Sequence, residues 1–89
     1  STFRLLFLSR VHPKKGLHLL LEALPACNVP WSLEVVGDGE REYVQALKIQ
    51  AEAAGIAGRI RWRGWLDGQA KVRALAGADV LVLPSYNEN

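Results

Sequence analysis

Four short apolar runs alternate with three stretches of helical periodicity, and this alternation constrains the fold more than anything else in the chain. Arg4-Leu5-Leu6-Phe7-Leu8 is a nearly continuous apolar run and reads as a strand buried on both faces. From Gly16 to Ala26 the leucines fall at 17, 20, 21 and 24, one apolar face of a helix, and Pro25 helps to end it. Ser32 to Val36 reads as a second strand, broken by Gly37-Asp38-Gly39. Glu40 to Ala54 is the clearest helix, with Tyr43, Val44, Leu47, Ala51 and Ala54 on one side. Glu40 and Glu42 sit in its first turn, where they complement the macrodipole, and Gly55 suits the position just past its end.

Arg59-Ile60-Arg61-Trp62-Arg63 alternates, so the third strand is expected at a sheet edge with its arginines on a solvated face. Asp67 is a candidate N-cap for a helix from Gly68 to Ala76, and Asp79 to Leu83 is a fourth, almost wholly apolar strand. The order is β-α-β-α-β-α-β. Strands joined through helices predict right-handed crossovers and a parallel α/β sheet with helices on both faces. Ligands of such sheets bind beyond the carboxyl ends of the strands.

At 89 residues the chain is at most one small domain. Its 49% hydrophobic content is too rich for a disordered segment, and a net charge of +2 lacks the basic stripe that nucleic-acid binding needs. Such a modest excess still favours anionic ligands or an anionic membrane face. The single cysteine, Cys27, excludes an internal disulfide and a cysteine metal cluster, and fits a reducing compartment. His12 and His18 have no ligand partners at metal-binding spacing, so no metal site is expected. No run approaches the ~20 apolar residues needed to span a bilayer, and no signal-peptide pattern opens the chain.

The residues with chemistry lie in the loops. Arg10 and Lys15 follow the first strand and lead into the first helix. A diphosphate suits such a pair, with a forked guanidinium for two oxygens and an ammonium for a third, beside a helix N-terminus. A solvated basic loop is the plain alternative. Gly37 and Gly39 permit a sharp turn, which serves either close approach to a ligand or a simple strand-to-helix connection. The third glycine of the dinucleotide fingerprint is missing, so NAD binding is discounted. Trp65 offers a broad indole face for a base or for a neighbouring helix. Trp62 alternates toward the core, Trp31 has no assignable role, and Asp79 is read as structural.

Four segments in register carry a family resemblance. Ser9-Arg10 with Lys15-Gly16 resembles the G-R-x-x-x-x-K-G segment of family 4 glycosyltransferases of the GT-B class. Val35-Val36-Gly37-Asp38-Gly39 is similar to their V-x-G-x-G turn, and Ile60 to Gly64 to their V-x-F-x-G strand. Ala78-Asp79 through Pro84-Ser85 is similar to A-D-x-x-x-x-P-S, and Glu88 stands where the first carboxylate of E-x7-E falls. Ser9 replaces the usual glycine, and the second glutamate would lie beyond Asn89.

The resemblance implies a truncated GT-B C-terminal domain of Rossmann-like fold, residues 1–89 being part of the donor-binding domain without its last portion or the acceptor domain. It implies a retaining, metal-independent transferase with a nucleotide-sugar donor as substrate and no cofactor. UDP-hexose or UDP-N-acetylhexosamine is the favoured donor, GDP-mannose the second. Arg10 and Lys15 would stabilise the leaving diphosphate, and Glu88 would contact the sugar or its reacting face. Gly37 would approach the donor, with Gly64 and Trp65 at the base. The implied acceptor is a glycan or lipid-linked glycan held by the absent domain. The intact enzyme is expected in the cytoplasm, at most peripheral to the inner membrane face. The chain alone is expected to be inactive and to bury its uncovered sheet by dimerising or swapping. The rival readings are a flavodoxin-like interaction domain without catalysis and another sugar-nucleotide enzyme such as an epimerase.

Overall fold

The computed structural model describes residues 2–84. Its strands are β1 (Phe3–Leu8), β2 (Trp31–Val36), β3 (Ile60–Gly64) and β4 (Val80–Val82). They alternate with α1 (Leu17–Ala23), α2 (Arg41–Ala53) and α3 (Gly68–Gly77). All strand pairings are parallel, in the order β3-β2-β1-β4. This is the Rossmann-like α/β sheet expected from the sequence, with β3 at one edge of the described strands.

The two faces of the sheet differ. Phe7, Trp31, Leu33, Val35 and Ile60 pack with Leu17 and Leu21 of α1 and Leu47 and Ala51 of α2 into one buried cluster. Trp62 packs against that cluster half-buried. The alternate residues Arg4, Leu6, Ser32, Glu34, Arg61 and Arg63 face the side on which α3 lies. On that side only Leu6 and Val36 are both apolar and fully buried strand residues. Val80 and Leu81 of β4 are 41% and 42% exposed, close to the 39% of Leu75 on α3. The last apolar run is thus half-covered rather than buried.

Several boundaries shift for physical reasons. β2 starts at Trp31, one residue before the expected strand, because the indole is 2% exposed and roofed by the Arg59 guanidinium, 3.9 Å from the ring centroid. A residue without an assignable role in the sequence is thereby a core residue. α1 stops at Ala23, and Pro25 falls in a 3₁₀ turn, Leu24–Ala26, as befits a residue with no N–H to donate. Glu40 is the N-cap residue of α2 rather than a member of its first turn, and its side chain makes no capping bond. Asp67 occupies the N-cap of α3, yet its carboxylate likewise caps nothing. Asp79 is structural as read: its carboxylate accepts the Arg4 N–H at 2.8 Å, and its own N–H donates to Arg4 O at 2.8 Å.

α2 ends as the sequence indicates. Gly55 has φ +77°, its N–H donates to Glu52 O, and that of Ile56 donates to Ala51 O, both at 3.0 Å. This is the paired Schellman closure. No helix among the described residues is long and apolar enough to cross a membrane.

Gly37 and Gly55 both have positive φ, but only Gly37 is crowded. A Cβ there would lie 1.8 Å from Ser9 O, whereas one at Gly55 would meet nothing within 4 Å. Gly37→Ala is expected to cost about 2–5 kcal/mol, from backbone strain plus overpacking, and Gly55→Ala only about 1 kcal/mol. Denaturant unfolding of both variants checks this, and equal losses would remove the crowding argument.

Candidate donor-binding edge

The loops after β1, β2 and β3 meet at the carboxyl edge of the sheet, and main-chain hydrogen bonds hold them together. Ser9 N–H donates to Val36 O at 3.1 Å and Val11 N–H to Asp38 O at 2.9 Å. Gly37 N–H donates to Gly64 O at 2.8 Å, and Val11 and Gly39 form an isolated parallel bridge. Both glycines are required by this approach, since a Cβ on Gly39 would lie 2.2 Å from Val11 O. The N–H of Gly37 is therefore directed into the protein, toward the third loop.

Beyond this seam the β1 loop turns back on itself. Pro13–Lys15 forms a single 3₁₀ turn capped by His12, whose Nδ1 accepts the Lys14 N–H at 3.1 Å. Lys15 N–H donates to His12 O at 2.8 Å, and Gly16, at φ +80°, joins this turn to α1. Left-handed φ is what glycine permits there at no steric cost. The backbone carrying Lys15 is thus fixed by a side chain three residues before it. His12 caps a turn here, a role that its lack of metal partners left open.

Two clefts share the wall formed by Val11, Asp38 and Gly39. The first, of about 650 Å³, is lined by Arg10, His12, Pro13, Glu40 and Tyr43 as well. Arg10 is exposed and makes no ion pair with a described residue. The second, of about 500 Å³, includes Gly37, Arg41, Lys48, Trp62, Arg63 and Gly64. Lys15 borders neither of these two clefts. Trp65 lies just past β3 with 57% of its surface exposed, and Lys71 Nζ sits 5.3 Å from its ring centroid. Glu88 lies outside the described residues.

Tyr43 was legible only as an apolar-face residue of α2. In the structure its hydroxyl is 3.4 Å from His18 Nδ1, while Gln50 Nε2 donates to His18 O at 3.0 Å. Burial raises the phenol above its ordinary value, so it stays protonated at neutral pH as an unperturbed phenol would. It can serve the Arg10 cleft as a hydrogen-bonding wall and not as a base. No helical-period rule marks that hydroxyl, so the sequence carried no signal for it.

A phosphatidyl-myo-inositol mannosyltransferase of Mycobacterium leprae is 36% identical over 84 residues, 90% of this chain and 21% of that protein. Anabaena Alr3699/HepE, solved in complex with UDP and glucose, gives a TM-score of 0.79 at 28% identity, covering 90% of this chain and 22% of its own. The C-terminal domain of LpcC from Francisella tularensis, a glycosyl transferase group 1 family protein, gives 0.78 at 18% identity, over 98% of this chain and 48% of that one. At that identity the likeness is one of fold. The chain spans about a fifth of the length of the mannosyltransferase it matches. The family model described as "Glycosyl transferases group 1" matches residues 2–89, and the chain belongs to that family.

Proposed function

We propose that this chain forms part of the donor site of a glycosyltransferase. In the intact enzyme it would bind a nucleotide sugar while an acceptor hydroxyl attacks the anomeric carbon. The observation that carries this reading is the likeness to Alr3699/HepE, a protein solved with UDP and glucose and, in another crystal, with UDP-glucose at 30% identity. A UDP-hexose or UDP-N-acetylhexosamine is accordingly the favoured donor. GDP-mannose is the second, favoured by the 36% identity to a mannosyltransferase. Transfer is proposed to retain the anomeric configuration and to need no metal. The acceptor is a glycan or lipid-linked glycan, bound by protein outside this chain and met in the cytoplasm or at the membrane's inner face.

The chemistry needs positive charge at the departing group. As the bond from the anomeric carbon to the phosphate oxygen breaks, its electron pair stays with the nucleoside diphosphate. The acceptor oxygen forms the new bond on the face the diphosphate leaves and passes its proton to an oxygen of the departing phosphate. Arg10 and Lys15 stabilise the charge that develops on the diphosphate, by a fork and a point charge. The His12-capped turn holds the Lys15 backbone rigid while this happens. Gly64 and the exposed Trp65 ring form the base end of the site, the indole as a stacking platform. Glu88 contacts the sugar hydroxyls or the reacting face.

Arg10→Ala and Lys15→Ala in the intact enzyme should each lower kcat by about 10²–10³ with the fold preserved. Rates like wild type in both would refute the assignment. Glu88→Gln should weaken UDP-sugar handling while leaving UDP affinity near its starting value. Calorimetric titration of both ligands distinguishes this from a general loss of nucleotide binding, which would remove Glu88 from the sugar.

A further inference from the structure

A second concave surface lies on the opposite side of the sheet from the main core, between α3 and the strand residues that face it. It encloses about 460 Å³ and is lined by Arg4, Arg59, Arg61, Arg63 and Arg73, five of the chain's seven arginines, and by no lysine. Both faces of a parallel sheet are ordinarily apolar beneath their helices. Here the face beneath α3 carries Arg4, Ser32, Glu34, Arg61 and Arg63, and α3 turns Ala70, Ala74 and Gly77 toward it. Small residues on the helix leave open the space that guanidinium groups surround.

Four of these arginines are anchored by neighbours that engage only part of their donors. Arg59 Nε donates to Trp31 O at 3.1 Å while its guanidinium lies flat on the Trp31 ring. Arg63 and Arg61 both reach Glu34 Oε2, at 3.0 and 3.5 Å. Arg4 Nε stands 3.6 Å from Asp79 Oδ2. Arg73 makes no ion pair with a described residue. With Arg59 taken up by Trp31, four positive charges against Glu34 and Asp79 leave an excess of two (4 − 2 = 2) on this face. Each guanidinium presents five N–H donors in a planar fork matched to phosphate oxygens, and anchoring lowers the entropy lost on capture.

We propose that this groove is a binding site for a small phosphorylated ligand, separate from the donor edge. Its volume lies within the range of small-molecule sites, about 300–1,000 Å³. Arg61 and Arg73 approach from β3 and α3 and grip the phosphate from opposite walls, while Arg63 supplies an inner contact. The site does not rest on the donor reading, since it uses neither Arg10 nor Lys15, and Arg63 is the one arginine it shares with the second donor-edge cleft.

The test is a calorimetric titration of the intact protein with inorganic pyrophosphate while UDP saturates the donor edge. Saturable binding is expected to persist in Arg10→Ala and to weaken at least about 10-fold in Arg73→Gln and in Arg61→Gln. Arg73 and Arg61 are both exposed, so these variants keep the fold, and their thermal unfolding verifies it. Absence of saturable pyrophosphate binding with UDP present would overturn the proposal, as would equal affinity in the two arginine variants. Vesicles of phosphatidylcholine with and without phosphatidylglycerol form the other arm. Arginine-dependent vesicle binding without pyrophosphate binding would also overturn it, in favour of a membrane-facing surface.

Discussion

Everything at the functional edge depends on how closely three loops approach one another. The backbone at Gly37 presses on Ser9 O and that at Gly39 on Val11 O, at separations that leave no room for a Cβ. Such contact exchanges side-chain packing for main-chain hydrogen bonds, and each bond fixes a loop at its base rather than its tip. Arg10 leaves the sheet from one side of this seam, and Gly64 and Trp65 leave it from another. A loose seam would let these groups wander by an ångström or more, enough to degrade a site that works by aligned charge. The glycines thus matter to binding chemistry even where they touch no ligand.

The two faces of the sheet solve different problems. The face under α1 and α2 is a dense apolar cluster, and it provides most of the buried apolar surface in the fold. The face under α3 is built from charge. Glu34 is shared by two arginines, which keeps a carboxylate on a partly covered strand from being left unpaired. The buried Trp31 indole N–H is an exception, with no partner among the described residues. The stacked Arg59 shields the ring and donates to the Trp31 carbonyl, but a guanidinium has no acceptor to offer that N–H.

The architecture was legible because its signals are local and periodic. Apolar runs, leucine spacing, Gly55 past α2 and the alternating arginines of β3 each predicted the element observed there. What escaped was decided by tertiary contact. Trp31 looked roleless until Arg59, 28 residues later, was seen to stack on it. Asp67 has the residue type and place of a cap, but its side chain does not turn to the helix. The candidate site was legible as a set of loops at one sheet edge. The 3₁₀ turn anchored by His12 that carries Lys15 was not, since no sequence period announces it. Likewise, alternation marked the β3 arginines as solvated, but could not bring Arg4, Arg59 and Arg73 to the same groove.

The strand order has a consequence in time. β1 lies between β2 and β4, and Leu5 pairs with Val80, 75 residues later in the chain (80 − 5 = 75). At a synthesis rate of about 5–20 residues per second, roughly 4–15 s separate the emergence of the two partners. During that interval the hydrophobic centre of the sheet has one bare edge, with its Phe7 and Leu6 side chains already committed to opposite faces. A nascent chain of this order is therefore most exposed to wrong strand pairing at its innermost strand, not at its rim.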